Sequence, residues 1–242
     1  MRWLGLYACL IATYLLSGCA ALSTEPKATV DRSMETELPD YTGPKAKLTV
    51  SKFSWKADKK EAGVTEGLQD MLTTLLVQSK RFRVVERQEF GAIKDEIALG
   101  ESGYIGKGEG VEKGNVKGAD ILVVAAITGW EPEAEKTEAG LGGLIPQAKI
   151  LAGLKGSIKK SSMAMDIRII DASTSEVLVA TRVEGEAKEV GLGGLAGVFG
   201  SVPLGGGLSK YSKTPMEKAV RVCMKEAIKY IIENTPKEYF KY

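Results

Sequence analysis

Residues 163–184 read MAMDIRIIDASTSEVLVATRVE. Met163, Met165, Ile167 and Ile169 alternate with Ala164, Asp166 and Arg168, which is the period of a strand. Asp171-Ala172-Ser173-Thr174-Ser175 is a run of turn formers. Val177, Val179, Thr181 and Val183 then alternate with Ala180 and Arg182. Two such runs joined by a short loop predict an antiparallel hairpin. An antiparallel pair places its first residue beside its last. Glycine-rich stretches lie on both sides, at 131–162 and 185–213, so both leave the sheet at one pole. The chain reads as a domain extending two long arms in one direction.

The 242 residues allow one domain with extensions. Thirty-three basic and 31 acidic residues nearly cancel and are interspersed, so no concentrated positive patch points to nucleic acid. Histidine is absent, which removes the commonest general base and the commonest zinc ligand together. No nucleophile and base constellation is visible; an enzyme is not expected, nor is a metal or other cofactor. Gly106-Lys107-Gly108-Glu109-Gly110 lacks the Gly-Lys-Ser/Thr ending and the strand-to-helix setting of a phosphate loop and reads as a flexible loop.

Arg2 followed by the mostly apolar 3–16 and then Leu16-Ser17-Gly18-Cys19 looks like a bacterial lipoprotein signal. The apolar run falls short of the roughly 20 residues of a spanning helix. Cys19 is the expected lipidated residue, and Ala20 after it is similar to outer-membrane sorting signals. Cys9 leaves with the signal, so only Cys223 keeps a thiol and no internal disulfide can form. Cys223 falls on the apolar side of a helix and reads as a small core residue.

The polar stretch to Pro44, with Pro26 and Pro39, reads as a tether. A strand is expected at 47–55 and a charged loop at 56–63. A helix should begin at Thr65 as its cap, with Leu68, Leu72, Leu75 and Leu76 on one face. A short strand follows at 82–86, and then a helix with Phe90, Ile93 and Ile97 at helical spacing. The apolar run 121–130 suits a central strand buried on both faces. After the arms, Pro215 opens a long helix with one apolar face from Met216 to Ile232, ended by Asn234-Thr235-Pro236. The predicted fold class is α+β, a three-layer α/β/α-like periplasmic domain. Its parts are 45–130, 163–184 and 214–234, preceded by the signal at 1–18 and the lipidated tether at 19–44, and followed by a tail at 235–242.

The arms have their own pattern. Ile150, Ala152, Leu154 and Ile158 alternate with Gly153, Lys155, Ser157 and Lys159. In the second arm, Val190 to Leu208 carries no charge; Val190, Leu192, Val198 and Val202 share one face at period two, and Tyr211 would sit near a membrane interface. Transmembrane strands need about 9–11 residues and alternate in this way. The expected lumen-facing residues are Lys149, Lys155, Ser157 and Lys159. The expected lipid-facing ones are Ile150, Leu154, Ile158, Val190, Leu192, Val198 and Val202. Four strands cannot close a barrel, and an open edge in lipid costs several kcal/mol per unsatisfied amide, so identical subunits must complete the wall. Two other readings stand beside this one. Gly193 and Gly197 have the spacing of packed membrane helices, and Leu141, Leu144, Ile145, Ala148 and Leu151 fit an amphipathic helix. Plain loops are the third reading.

Arg81-Phe82-Arg83-Val84-Val85-Glu86-Arg87-Gln88, Ala119–Val123 leading to Ile127-Thr128-Gly129-Trp130, and Ile167–Thr174 form a further pattern. With the cysteine signal, they make the chain resemble the curli production assembly/transport family, the CsgG-like outer-membrane lipoproteins. The resemblance implies a periplasmic α/β domain, two β-hairpins per subunit, and a ring of subunits forming a secretion channel for unfolded polypeptide. Outer membrane, identical subunits, exported polypeptide and accessory envelope proteins are the partners it implies. One departure stands out: the family's pore-narrowing loop carries aromatic and amide side chains, whereas 55–63 is short and charged. A tethered non-channel binding module, contacting a cell-wall synthase or envelope complex, is the alternative expectation.

Overall fold

The computed structural model describes residues 38–136, 158–189, 204–212 and 214–242. Their elements in chain order are β1 (Ala46–Val50), β2 (Ser54–Trp55), α1 (Val64–Gln78), β3 (Phe82–Val84), α2 (Phe90–Glu101), β4 (Ile121–Lys136), β5 (Ile158–Asp171), β6 (Val177–Glu189), a 3-10 turn (Gly206–Tyr211), α3 (Pro215–Asn234) and a second 3-10 turn (Lys237–Tyr239). The strands form one mixed sheet in the order β3-β1-β4-β5-β6, with β2 paired to β4. β1 runs parallel to β3 and to β4, while β4, β5 and β6 form an antiparallel meander.

The alternation read at 163–184 is the pairing itself. Met165 faces Ile127 and Val183 in register, and Ile167 faces Ala125 and Thr181. Met163, Met165, Ile167 and Ile169 are buried on the sheet face that meets α3, which supplies Met216, Val220, Met224, Ile228 and Ile231. α1 adds Leu68, Leu72 and Leu76 over β1. Pro215 occupies the first helical position of α3, where its missing N–H costs nothing. The turn closes on Asp171, whose carboxylate accepts N–H bonds from Ser173 and Thr174 at 2.7 Å each. Ser175 takes the left-handed conformation at φ 64°.

Three expectations are adjusted. The strand at 47–55 is broken into β1 and β2, and Phe53 between them turns into the core. Gly63, not Thr65, is the N-cap of α1; Thr65 lies in the first turn and its hydroxyl donates to Glu66 at 2.8 Å. β4 is not buried on both faces: Ile121, Val123, Ala125 and Ile127 are buried, but Leu122, Val124 and Ala126 are only partly so. α1 and α3 both cover the first face, and α2 contains no buried residue. The architecture is a mixed α+β fold built on a single sheet.

The tail is part of the fold. Lys45 and Tyr242 exchange backbone hydrogen bonds of 2.6 and 3.1 Å, and Phe240 bridges to Ala46. The Tyr239 hydroxyl donates to Asp171 at 2.5 Å, fastening the tail to the hairpin turn.

Two outcomes follow from these contacts. A Cβ on Gly185 would stand 2.1 Å from the Ala219 carbonyl and 2.8 Å from Cys223, so Gly185→Ala must push β6 off α3. Urea unfolding should show a loss of roughly 3 kcal/mol, against a gain of about 0.5 kcal/mol for Gly91→Ala, where nothing lies within 4 Å. The second outcome concerns pH. The Ser173 hydroxyl, then Tyr239 and the Thr174 N–H, hold the Asp171 carboxyl well below the usual carboxylate range, and the Tyr239 phenol is pushed up to about 12. A depressed folded pKa gives stability that is present above the unfolded value of 3.8 and lost as pH falls through the folded one. Tyr239→Phe should therefore melt below the wild type at pH 7, with a gap that persists to about pH 5 and closes in stronger acid.

Candidate functional site

β4, β5 and β6 outrun the rest of the sheet at one pole. The parallel partners of β4 end at Ile127, but its pairing with β5 continues to Lys136↔Ile158, and β5 pairs with β6 as far as Lys159↔Glu189. Residues 131–136, 158–162 and 185–189, placed by their glycine-rich context in the arms, are thus the upper ends of sheet strands. Register shifts at Ile127/Gly129 and Glu131/Ala134 mark two irregularities in β4, the second next to Pro132, which cannot donate to the ladder. The Ser161 hydroxyl donates to the Pro132 carbonyl there.

This stem carries charged residues along one face, while Ser161 and Gly185 on the other are buried. One register row is Glu135–Lys159–Glu189, and the next contains Lys160 and Lys188. Lys160 pairs with Glu186 at 2.8 Å, and this bond raises its pKa. Ser162 donates to Glu131 at 3.3 Å. The charged face belongs in water, so the stem reads as a stalk up to the row of Lys160 and Lys188.

Beneath the stalk lies an aromatic cluster. The rings of Trp55 and Trp130 are 5.7 Å apart, and Trp130 meets Tyr211 edge-on at 5.4 Å. The Trp130 indole N–H reaches the Tyr211 hydroxyl at 3.4 Å. Tyr211, read from the sequence as a membrane-interface residue, is buried here because the segment that follows the second arm docks on the start of α1. Leu204 and Leu208 are 4% and 1% exposed in that docking. Gly207 makes it possible: its N–H bonds the Gly63 carbonyl at 3.3 Å, and a Cβ would stand 2.3 Å from the Ala62 carbonyl. Lys210 pairs with Glu61, which raises the lysine pKa. The charged stretch 55–63 is therefore occupied: Trp55 donates to the Ala57 carbonyl at 2.8 Å, and Glu61, Ala62 and Gly63 hold the returning chain.

The expected site residues Cys19, Lys149, Ile150, Leu154, Lys155, Ser157, Val190, Leu192, Val198 and Val202 lie outside the described residues. Ile158 and Lys159 are the first two residues of β5, at its upper end. Sequence reading missed the docking of Leu204, Leu208 and Tyr211. Their spacing of four and three just after the glycines was the available signal, hidden by the uncharged run they end.

A second feature, a cleft of about 480 Å³ at the carboxyl ends of β1 and its neighbours, is lined by residues of both signs, among them Lys52, Glu66, Arg87 and Glu89. Among the described residues no group of histidine, cysteine and acidic side chains is placed to hold a metal ion.

A putative-lipoprotein description attaches to one curated relative, from Neisseria meningitidis serogroup B, which is 25% identical over 239 residues and covers 92% of this chain and 90% of its own. The solved structure of the hypothetical protein CT253 from Chlamydia trachomatis overlays with a TM-score of 0.47 at 10% identity, over 78% of this chain and 97% of that one. The PelC dodecamer from Paraburkholderia phytofirmans overlays at 0.33 and 12% identity, over 76% and 91%. Overlays this loose say nothing about assembly. The family model for the curli production assembly/transport component CsgG matches residues 19–239, nearly the whole chain, and the protein belongs to that family.

Proposed function

We propose that this protein is an outer-membrane lipoprotein, anchored through Cys19, whose subunits assemble into a ring and whose arms build a β-barrel for passive export of unfolded polypeptide. The proposed role is not enzymatic. The observation that carries it is the three-stranded stalk: β4, β5 and β6 leave the core together and deliver both arms at one pole. Among the described residues no strand pairs with the outer edge of β6, or with that of β4 beyond Ile127. Unpaired edges on the two sides of one stalk suit a head-to-tail contact between copies, which closes into a ring. In this reading the α+β domain faces the periplasm, and Lys149, Lys155, Ser157 and Lys159 face the lumen. Ile150, Leu154, Ile158, Val190, Leu192, Val198 and Val202 face lipid.

One observation favours a second reading, a tethered binding module that forms no channel. Leu204, Leu208 and Tyr211, at the end of the uncharged run, are buried against the domain and not offered to lipid. The stretch 55–63, which sits where the curli channel has its narrowing loop, is likewise engaged with that segment.

Electron micrographs of the lipidated protein purified in mild detergent separate the two readings. Rings with a central pore are expected, together with stepwise conductance in planar bilayers. Lys155→Glu should then shift ion selectivity toward cations. Uniform monomers without conductance would leave the tethered module as the surviving reading.

A further inference from the structure

Between the exits of β1 and β3 lies the cleft described above, which neither the stalk nor the aromatic cluster uses. β1 stands between β3 and β4 and runs parallel to both. Its own exit leads through α1 to β3 on one side, whereas the exit of β3 leads through α2 to β4 on the other. Neighbouring parallel strands whose connections part in this way leave a crevice at their carboxyl ends, the place where open α/β sheets hold ligands. The cleft sits there: Ser51 and Lys52 follow β1, and Arg87, Gln88 and Glu89 follow β3. Its volume of about 480 Å³ falls within the roughly 300–1,000 Å³ of small-molecule sites.

Thr49 marks the cleft as more than a gap between loops. It lines the cleft, is 6% exposed, and its hydroxyl has no hydrogen-bond partner among the described residues. A hydroxyl so placed costs stability unless something bonds it, and valine would fill the same space in the strand without that cost. The walls around it are held in position. Gln69 donates to the Val50 carbonyl at 3.4 Å, and Gln88 to the Asp70 carboxylate at 3.1 Å. The Arg87 guanidinium donates to the carbonyls of Glu86 and Lys117, both at 2.8 Å.

Charge selects the ligand. Two cations, Lys52 and Arg87, and two carboxylates, Glu66 and Glu89, line the same space. The Thr65 hydroxyl, then a backbone N–H and the charge of Lys52, lower the Glu66 pKa, so its carboxylate is ionised at neutral pH. Glu89 precedes α2 without a side-chain capping bond, so its carboxylate is not spent on the helix. A phosphate would meet two carboxylates here and a polyamine two cations, whereas a dipolar molecule matches both pairs. We propose that this cleft binds a small zwitterion, an amino acid or a short peptide, with its carboxylate toward Thr49, Lys52 and Arg87 and its ammonium toward Glu66 and Glu89. All of these residues belong to the α+β domain, so the proposal stands apart from the channel reading.

Calorimetric titration of the full-length lipidated protein in mild detergent tests it, with L-alanyl-L-alanine and D-alanyl-D-alanine as probes. At least one should bind; preference for the first assigns the site to polypeptide, and for the second to cell-wall peptide. Thr49→Val should weaken binding about tenfold while melting at or above the wild-type temperature, a combination that a purely structural hydroxyl does not give. N-acetylation removes the ammonium of the dipeptide and should cost about tenfold on the wild type. On Glu66→Gln with Glu89→Gln the same acetylation should cost nothing further. Absence of binding by both dipeptides up to about 10 mM overturns the proposal. So does binding that Thr49→Val and the double Gln variant leave unchanged, or inorganic phosphate or N-acetylglucosamine binding as tightly as the dipeptides. Ring formation and conductance, read separately, are untouched by any of these results.

Discussion

The meander of β4, β5 and β6 is the constraint on which the structure depends. Its lower half is a core layer, sealed by α3 through Met163, Met165, Ile167 and Ile169. Its upper half keeps α3 on one face as far as Gly185 and carries charged residues on the other. One set of strands therefore passes from an apolar environment to an aqueous stalk without a break in the ladder, and the change is written entirely in side chains. The backbone hydrogen bonds made in the core extend the register upward, so the arms leave in fixed positions relative to one another.

Much of this was legible because the signals were local. The alternation from Met163 to Val183 and the Asp-Ala-Ser-Thr-Ser turn placed β5 and β6, and the apolar face from Met216 to Ile231 placed α3. The existence of α2 was legible from Phe90, Ile93 and Ile97, but its lack of burial was not, since helical spacing tells which side is apolar and not whether anything lies against it. Strand ends were misjudged for a related reason. Glu131 to Lys136 and Lys159 to Ser162 look like loop, because they carry no large apolar residue at alternate positions.

The candidate site was the least legible part. The start of α1 and the segment after the second arm are about 140 residues apart in sequence, and they meet through glycines, which have no side chain to advertise the contact. A glycine-rich uncharged run has one appearance whether it is destined for lipid or for close backbone packing. Leu208 and Gly207 show that part of this run does the second, and the absence of charge up to Lys210 allows it to do the first. Composition is silent between the two because both environments select for small, uncharged residues.

The place where the tether joins the domain has its own geometrical consequence. β1 runs parallel to β4 and begins at its foot, with Leu48 beside Ile121 and Lys45 tied to Tyr242. The polypeptide ahead of β1 thus reaches the domain at the extremity remote from the stalk. A 16-residue β4 is about 53 Å tall at the rise of a strand, so whatever holds the chain ahead of β1 meets the domain that far from the upper end of the stalk.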